Sequence, residues 1–562
     1  MGFITLETSH FRVYGLCYFI IMRSIKDIEP NMMDYREEYS RFSLDIPREF
    51  SFPLDIFDRW SGNALFWTDG EEERIFSFRE LTMLSSKGAG ALRDAGIKRG
   101  DKVIVMLPNI PEWWEIMLAL IRLNAIPIPA TTLLTSKDLE YRLSATDIKA
   151  IVITNEDLLR IEDVINRHSV MVISVGDGKG DIQYNRQRDQ AKAFLGERVG
   201  ADEPALIYFT SGTTGPPKMV LHTQASYPLA HLITGKYWLD LRPGDLHWNV
   251  SDPGWAKAAW SSLFGPWHRG ATVFSFYRKG RFDPALTVEI MKRYNVTTFC
   301  GPPTVYRMIA KDVFSKVNTL RLPVRHFVAA GEPLNKEIIE LWKEKTGHYI
   351  YDGYGQTETV NVLANFRCLP VKPGAMGVPV PGFVVDIIDE RGRSLPPGIE
   401  GDIGIKIHPE RPIGLFKEYL GDPEATKKTV RGDWYVTGDR AYKDEEGYFW
   451  FVGRADDIII TSGYRIGPFE IESILIKHPA VKESAVTASP DEIRGEVVKA
   501  FIVLMEGYSP SESLVRDLQD FVKANTAPYK YPRRIEFVDE LPKTISGKIK
   551  RKELRQREFG KV

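Results

Sequence analysis

The chain has 562 residues, 43% apolar and 27% charged, with a formal net charge of −1. That length exceeds what one hydrophobic core organises and implies two to four structural units. The near-neutral balance excludes a polyanion-binding surface as the main role, so no nucleic-acid partner is expected.

In chain order, the first feature is VYGLCYFIIM (13–22), an apolar run too short to span a bilayer. Arg12 precedes it, but no small-residue cleavage site follows. Met22, Met32 and Met33 stand at its end or just beyond. Residues 1–30 are therefore set apart as an N-terminal extension, with 1–21 read as an upstream start or a loosely held segment, and no stable membrane insertion is expected. The three cysteines, Cys17, Cys300 and Cys368, fit neither a zinc site nor a disulfide framework and point to a reducing compartment. That compartment is the cytoplasm, or an organelle matrix if the N-terminus is a targeting segment.

From about residue 75 to 360, apolar β runs alternate with helical patterns. KVIVML (102–107) precedes the helical PEWWEIMLALIRLNA, and KAIVIT, VMVISVG, ATVFSF, TTFCGPP and RHFVAAGEPL follow as further β runs. This is an α/β pattern, in which ligands sit at the carboxyl ends of the strands. After about residue 370, GVPVPGFVVDIIDERGRSLPPGIEGDIGIKI (377–407) reads as a small antiparallel unit with Gly/Pro turns. From 457 onward a separate α/β piece follows, and VGRADDIII (452–460) between them reads as a hinge. The expected fold is α/β, mixed α+β in parts. A large N-terminal domain (31–455), built of layered α/β subdomains plus the antiparallel unit, precedes a small mobile α/β C-terminal domain (456–562).

The chemistry gathers first at TSGTTGPPK (210–218), which leaves the strand ALIYF (205–209). A stretch rich in Gly, Ser and Thr is most often a plain surface turn. Here the strand before it and Lys218 after it suit a phosphate: glycines let a ligand approach the backbone, and exposed N–H groups cradle an anion. The Walker A spacing fails, because Gly212 and Gly215 are too close and Lys218 is followed by Met219. This is a phosphate loop of another kind.

TSGTTGPPK, YGQTE (354–358), TGD (437–439), GRADDIIITSGYRIGPFEIE (453–472) and PKTISGKIKR (542–551) follow in that order. Together they resemble the core motifs of the adenylate-forming superfamily over about residues 45 to 555, and RGEVVKAF and TAPYKYPRRIEFVDELPKTISGKIKR resemble medium-chain acyl-CoA synthetases. The resemblance implies two steps. A carboxylate attacks the α-phosphate of ATP to give acyl-AMP and pyrophosphate, and the thiolate of coenzyme A then displaces AMP. Bringing an anion to a polyanion makes charge neutralisation and positioning the main catalytic needs.

The resemblance also implies roles. Thr210, Ser211, Gly212, Thr213, Thr214 and Gly215 would grip the leaving pyrophosphate, with Lys218 adding charge. Thr357 would contact the α-phosphate, while Glu358, with Thr210, would hold Mg²⁺. Gly331, Glu332 and Pro333, with Asp352, Gly353 and Tyr354, would embrace adenine, and Gly355 and Gln356 belong to the same nucleotide wall. Asp439 would accept both ribose hydroxyls, as one carboxylate can. Arg454 joins it, Asp456 is the hinge, and Lys548 would touch both substrate carboxylate and α-phosphate. For coenzyme A the matching residues are Ser462, Gly463, Tyr464 and Arg465, with Arg494, Lys523, Lys530 and Tyr531 toward its nucleotide end.

SDPGWAKAAW (251–260) resembles the helix lining the acyl pocket, giving Trp255, Ala256, Lys257 and Trp260, together with Gly331 and Gly355. Lys257 departs from the small or apolar residue typical of relatives. Gly355 stands where acetate-specific relatives carry tryptophan, so a deeper pocket is expected, with acids of roughly four to ten carbons on the scale of about 0.8 kcal/mol per methylene. Plainer readings stand beside these: Lys218 and Asp456 as solvated loop charges, Glu358 as a capping residue, Lys548 as one of a basic tail, and both tryptophans as core. The function expected is an ATP-dependent acyl-CoA synthetase for medium-chain or branched acids. An acyl-AMP ligase loading a carrier protein and a benzoate-type aryl-CoA ligase are the alternatives. A homo-oligomer is left open.

Overall fold

A computed structural model describes residues 28–210, 217–280, 282–461, 464–491, 494–544 and 548–560. The phosphate-loop residues Ser211, Gly212, Thr213, Thr214 and Gly215, the pair Ser462 and Gly463, and nearly all of the 1–30 extension lie outside the described residues.

The largest sheet has nine strands. Six run parallel side by side: Asn63–Thr68, Thr272–Phe276, Leu246–Asn249, Thr298–Gly301, His326–Ala330 and Ile350–Gly355. Antiparallel strands close both edges, Glu73–Ser77 at one and Asn361–Ala364 followed by Val378–Pro379 at the other. A second, all-parallel sheet of five strands is centred on Lys102–Met106 and Ile148–Thr154. Its two central strands carry buried apolar runs, Val103–Met106 and Ala150–Ile153, as strands covered on both faces do.

Local sequence explains the covering helices. Phe78–Asp94 starts at Ser77 with a reciprocal capping box to Glu80. Pro111–Arg122 opens on a proline, which suits a first helical position, and is buried on every side, including Trp113 and Trp114. The antiparallel unit read at 377–407 is present as strands Val385–Ile388 and Gly401–Lys406, extended by Val430–Arg431, Trp434–Lys443 and Phe449–Arg454.

The strand before the phosphate loop, Pro204–Thr210, and the one after it, Lys218–Thr223, form an antiparallel hairpin joined by Glu418–Tyr419. The C-terminal segment has its own five-stranded sheet and its own apolar core around Ile471, Val486, Ile502 and Leu518. The last strand of the large sheet's parallel run, Ile350–Gly355, meets an antiparallel neighbour, so YGQTE leaves the sheet at its carboxyl edge where strand direction changes. Such edges are where open α/β sheets bind ligands.

Candidate active site

A cavity of about 2140 Å³ opens at that edge. Segments following four parallel strands line it: Val250–Asp252, Pro302, Gly331–Asn335 and Gln356–Glu358. Gly331 has φ +105 with nothing within 4 Å of where a β-carbon would stand, so its bare backbone faces open space. Across the cavity, the small domain contributes Lys543, Thr544, Lys548, Lys550 and Arg551.

The YGQTE segment is held rigidly. Tyr354 Oη donates to Asp439 Oδ2 at 2.6 Å, and Gln356 Nε2 donates to the same oxygen at 2.7 Å and to the Thr437 carbonyl at 2.9 Å. Asp439 lies directly across the strand pair from Arg454, with Nε 3.2 Å from Oδ1. Two donors and a guanidinium thus fix a buried carboxylate at the cavity wall. Its oxygen facing Arg454 is not shared with Tyr354 or Gln356, which suits a diol ligand.

Glu358 is held by Tyr419, whose Oη donates to Oε1 at 2.7 Å. Burial and the Glu358 charge push the Tyr419 phenol far above its usual range, so it stays a donor. Lys218 Nζ lies 4.6 Å from the centroid of the Tyr419 ring, and Thr210, its register partner, also lines the cavity. The site thereby brings Thr210, Lys218, Thr357 and Glu358 to one wall. Mg²⁺ bound with nucleotide takes one or two carboxylates and fills its shell with phosphate and water oxygens. A single oriented Glu358 beside Thr210 fits that requirement, and among the described residues there is no cluster of three acidic, His or Cys side chains.

The adenine-side residues fall into two groups. Pro333, Gly353 and Tyr354 line the cavity. Glu332 also lines it, but its carboxylate pairs with Arg307 at 2.8 Å. Asp352 is buried, and burial holds its carboxyl well above the usual range. Lys548 is exposed at the cavity edge, its backbone N–H bonded to Thr544 Oγ1 at 3.0 Å and its carbonyl accepting from the Thr544 N–H at 2.7 Å.

Tyr464, Arg494, Lys523, Lys530 and Tyr531, proposed for coenzyme A, do not line this cavity. Tyr464 stacks on Tyr529 at 4.2 Å, and Arg465 sits opposite Ile460 in strand register. Lys523 pairs with Asp520 and lies over Tyr531, Lys530 pairs with Glu470, and the Arg494 N–H bonds Asp491. Asp456 lies in the single turn Ala455–Asp457 that joins the two sheets, and its carbonyl accepts from Arg555 at 3.1 Å.

On the acyl side, Trp255, Ala256, Lys257 and Trp260 all line the cavity. Trp260 lies in a π-helical stretch, Ala259–Phe264, a geometry that recurs at functional sites. Its Nε1 donates to Tyr227 Oη at 2.6 Å. The expectation of depth behind Gly355 needs correction: Trp260 Cη2 would lie 2.5 Å from a β-carbon there. The space that the missing side chain leaves is filled by a tryptophan from a different element. Lys257 Nζ donates to the Ala330 carbonyl at 3.2 Å, and burial lowers its pKa. It therefore turns toward the strand end beside Gly331 rather than forming a surface ion pair.

Sequence reasoning missed three supporting residues. Tyr419 and Tyr227 carry no motif signal. His222 has no catalytic histidine pattern around it in the sequence, yet its Nε2 lies 2.7 Å from the Thr357 carbonyl oxygen. Burial pushes its pKa down to about 3, so the ring is neutral.

Residues 59–420 match the AMP-binding enzyme family and residues 470–548 its C-terminal domain. The rat mitochondrial acyl-coenzyme A synthetase ACSM3 is 48% identical over 557 residues, covering 95% of this chain and 94% of that protein. The mouse mitochondrial acyl-coenzyme A synthetase ACSM4 is 46% identical, with 95% of each covered. An anthranilate CoA ligase solved in complex with anthranoyl-AMP superposes with a TM-score of 0.83 at 30% identity, over 92% of this chain and 98% of that one. The order of motifs, the two-unit fold and these likenesses agree: the chain belongs to the AMP-binding enzymes and, within them, to the acyl-coenzyme A synthetases.

Proposed function

We propose that the enzyme joins medium-length or branched carboxylic acids to coenzyme A through an acyl-adenylate, using ATP with Mg²⁺. The observation that carries this reading is one cavity shared by Glu358, Thr357, Asp439, Lys548 and the Trp260 wall. Asp439, held by Tyr354 and Gln356, orients the ribose. Thr357 and Lys548 orient the α-phosphate, and the Lys548 ammonium offsets the repulsion between phosphate and incoming carboxylate. One substrate oxygen attacks phosphorus and the bond to pyrophosphate breaks. When bound, Mg²⁺ would be held by Glu358 and Thr210 and would neutralise phosphate charge. Thiolate sulfur then attacks the acyl carbon and AMP leaves.

For the second step, residues 456–562 turn as a body about Asp456 relative to residues 31–455, bringing Tyr464 and Arg465, with Ser462 and Gly463, toward the acyl-adenylate. Arg494, Lys523, Lys530 and Tyr531 then take the nucleotide end of coenzyme A. The exposure of Tyr464 supports this assignment. No described helix is long and apolar enough to cross a membrane, and the two relatives above are named as mitochondrial; we infer work in an aqueous compartment, either cytoplasm or an organelle matrix. ATP–pyrophosphate exchange with acetate through dodecanoate, followed by thioester formation with and without coenzyme A, tests the whole reading. Exchange should be acid-dependent and greatest at medium length, and thioester should need coenzyme A. Exchange with acetate alone would overturn the substrate assignment.

A further inference from the structure

His222 lies outside the motifs and does not line the cavity, yet it joins two of the cavity's walls. It belongs to strand Lys218–Thr223, which continues from the phosphate loop, and it is fully buried. Its Nε2 lies 2.7 Å from the carbonyl oxygen of Thr357. A carbonyl only accepts, so Nε2 carries the proton and Nδ1 is left as the acceptor. Ser226 fits that tautomer: its Oγ lies 3.2 Å from Nδ1 and itself accepts from the Thr223 N–H at 2.8 Å. The ring is clamped by Tyr227, with centroids 3.9 Å apart, and Tyr227 in turn holds Trp260.

The direction of these bonds has a geometric result. In a trans peptide the C=O and N–H point opposite ways. Turning the Thr357 carbonyl inward to His222 turns the following N–H, that of Glu358, outward from the ring. The same bond fixes the plane from which the Thr357 and Glu358 side chains depart, and both of these residues line the cavity. Tyr419 holds the far end of Glu358. The peptide is thus gripped at its carbonyl, and the carboxylate is gripped separately.

We propose that His222 is a positioning residue for adenylation: through its Nε2–H bond to the Thr357 carbonyl it holds the Thr357–Glu358 peptide in register with the strand that follows the phosphate loop. It touches neither substrate nor metal. The inference rests on the adenylation reading of the site.

Two amide variants separate reach from chemistry. In His222→Gln the terminal amide nitrogen takes the place of Nε2 and can donate to Thr357. In His222→Asn it takes the place of Nδ1 and falls short. Both are polar and of similar buried size. ATP–pyrophosphate exchange, thioester formation from supplied acyl-AMP, and Tm are measured for each. The expected result is a loss of about 10–100-fold in exchange kcat for His222→Asn, the range for outer partners of a ligand-holding group, with His222→Gln within about threefold of wild type. Thioester formation from supplied acyl-AMP stays within about threefold in both, and KM for the acid is unchanged. Equal losses in the two variants, equal losses in the two half-reactions, or an unaffected His222→Asn would overturn the proposal. If His222→Asn loses Tm, thioester formation in the same preparation reports whether the fold survives; a collapse of both steps refutes a selective role. Absence of exchange in the wild type would sink the adenylation reading itself, which is a separate outcome.

Discussion

Trp260 occupies the volume that a side chain at Gly355 would need. A β-carbon on Gly355 would stand 2.5 Å from Trp260 Cη2 and 2.4 Å from the Val360 carbonyl oxygen. On the proposed reading Trp260 sets the end of the acyl space, and the missing side chain of Gly355 lets it stand there. Trp260→Ala should move the preference toward longer acids, by roughly fourfold for each methylene newly buried at about 0.8 kcal/mol. It should also cost about 3–5 kcal/mol of stability for an emptied aromatic site. Gly355→Trp should lose activity on every acid instead of turning toward acetate, because the Val360 carbonyl is backbone and cannot yield as a side chain could. Values of kcat/KM from acetate to dodecanoate in the three proteins decide this; an active, acetate-preferring Gly355→Trp would show that Trp260 swings aside.

Lys548→Ala should lose adenylation by about 100-fold or more, the cost of removing one preorganised charge contact, while thioester formation from supplied acyl-AMP persists. Single-turnover rates of the two steps provide the check. Parallel losses in both would remove Lys548 from the α-phosphate.

Tyr354→Phe leaves Asp439 with one donor fewer at Oδ2. Hydrogen bonds to charged groups contribute about 1.5–3 kcal/mol, so KM for ATP should rise by roughly 10–100-fold while KM for the acid holds. An unchanged KM for ATP would place the ribose elsewhere.

Glu358→Gln keeps the shape but removes the charge that a divalent cation needs. The Mg²⁺ concentration giving half-maximal exchange should rise by about tenfold or more, the penalty seen when metal-binding groups lose their partners. A Mg²⁺ titration that superposes on wild type would exclude Glu358 from the metal.

Asp456→Pro should slow thioester formation more than adenylation. Proline fixes φ and restricts the residue before it, so the turn Ala455–Asp457 would hold one orientation. Rates for both steps equal to wild type would put the pivot at another position.

The α/β strands, the helix Pro111–Arg122 and the antiparallel unit after residue 377 were legible because apolar periodicity and Gly/Pro turns are local properties. The motif residues proposed to hold the nucleotide stood out by their spacing, and the cavity gathers Thr357, Glu358, Asp439 and Lys548 from two units of the chain. Trp260 was legible as a wall of the acyl pocket, but its direct contact with Gly355 was not, since 95 residues separate a glycine that reads as empty space from the side chain that fills it. His222 and Tyr419 were hidden for a related reason. Each acts by one hydrogen bond to a distant segment, and a single long-range bond leaves no pattern in sequence.

The contacts between the small domain and the large one include Lys477 with Glu337 at 2.5 Å and Asn335 Nδ2 with Ser473 Oγ at 3.0 Å. Both charged side chains are more than a third exposed, at 38% and 37%. Pairs so open to water contribute about 0.2–1 kcal/mol, and salt screens them over about 8 Å at physiological ionic strength. Those two polar contacts make ionic strength a dial on catalysis under the proposed two-step reading: more salt should loosen the arrangement of the two domains while sparing the buried Asp439 cluster, and so alter the ratio of the two half-reaction rates before it alters the fold.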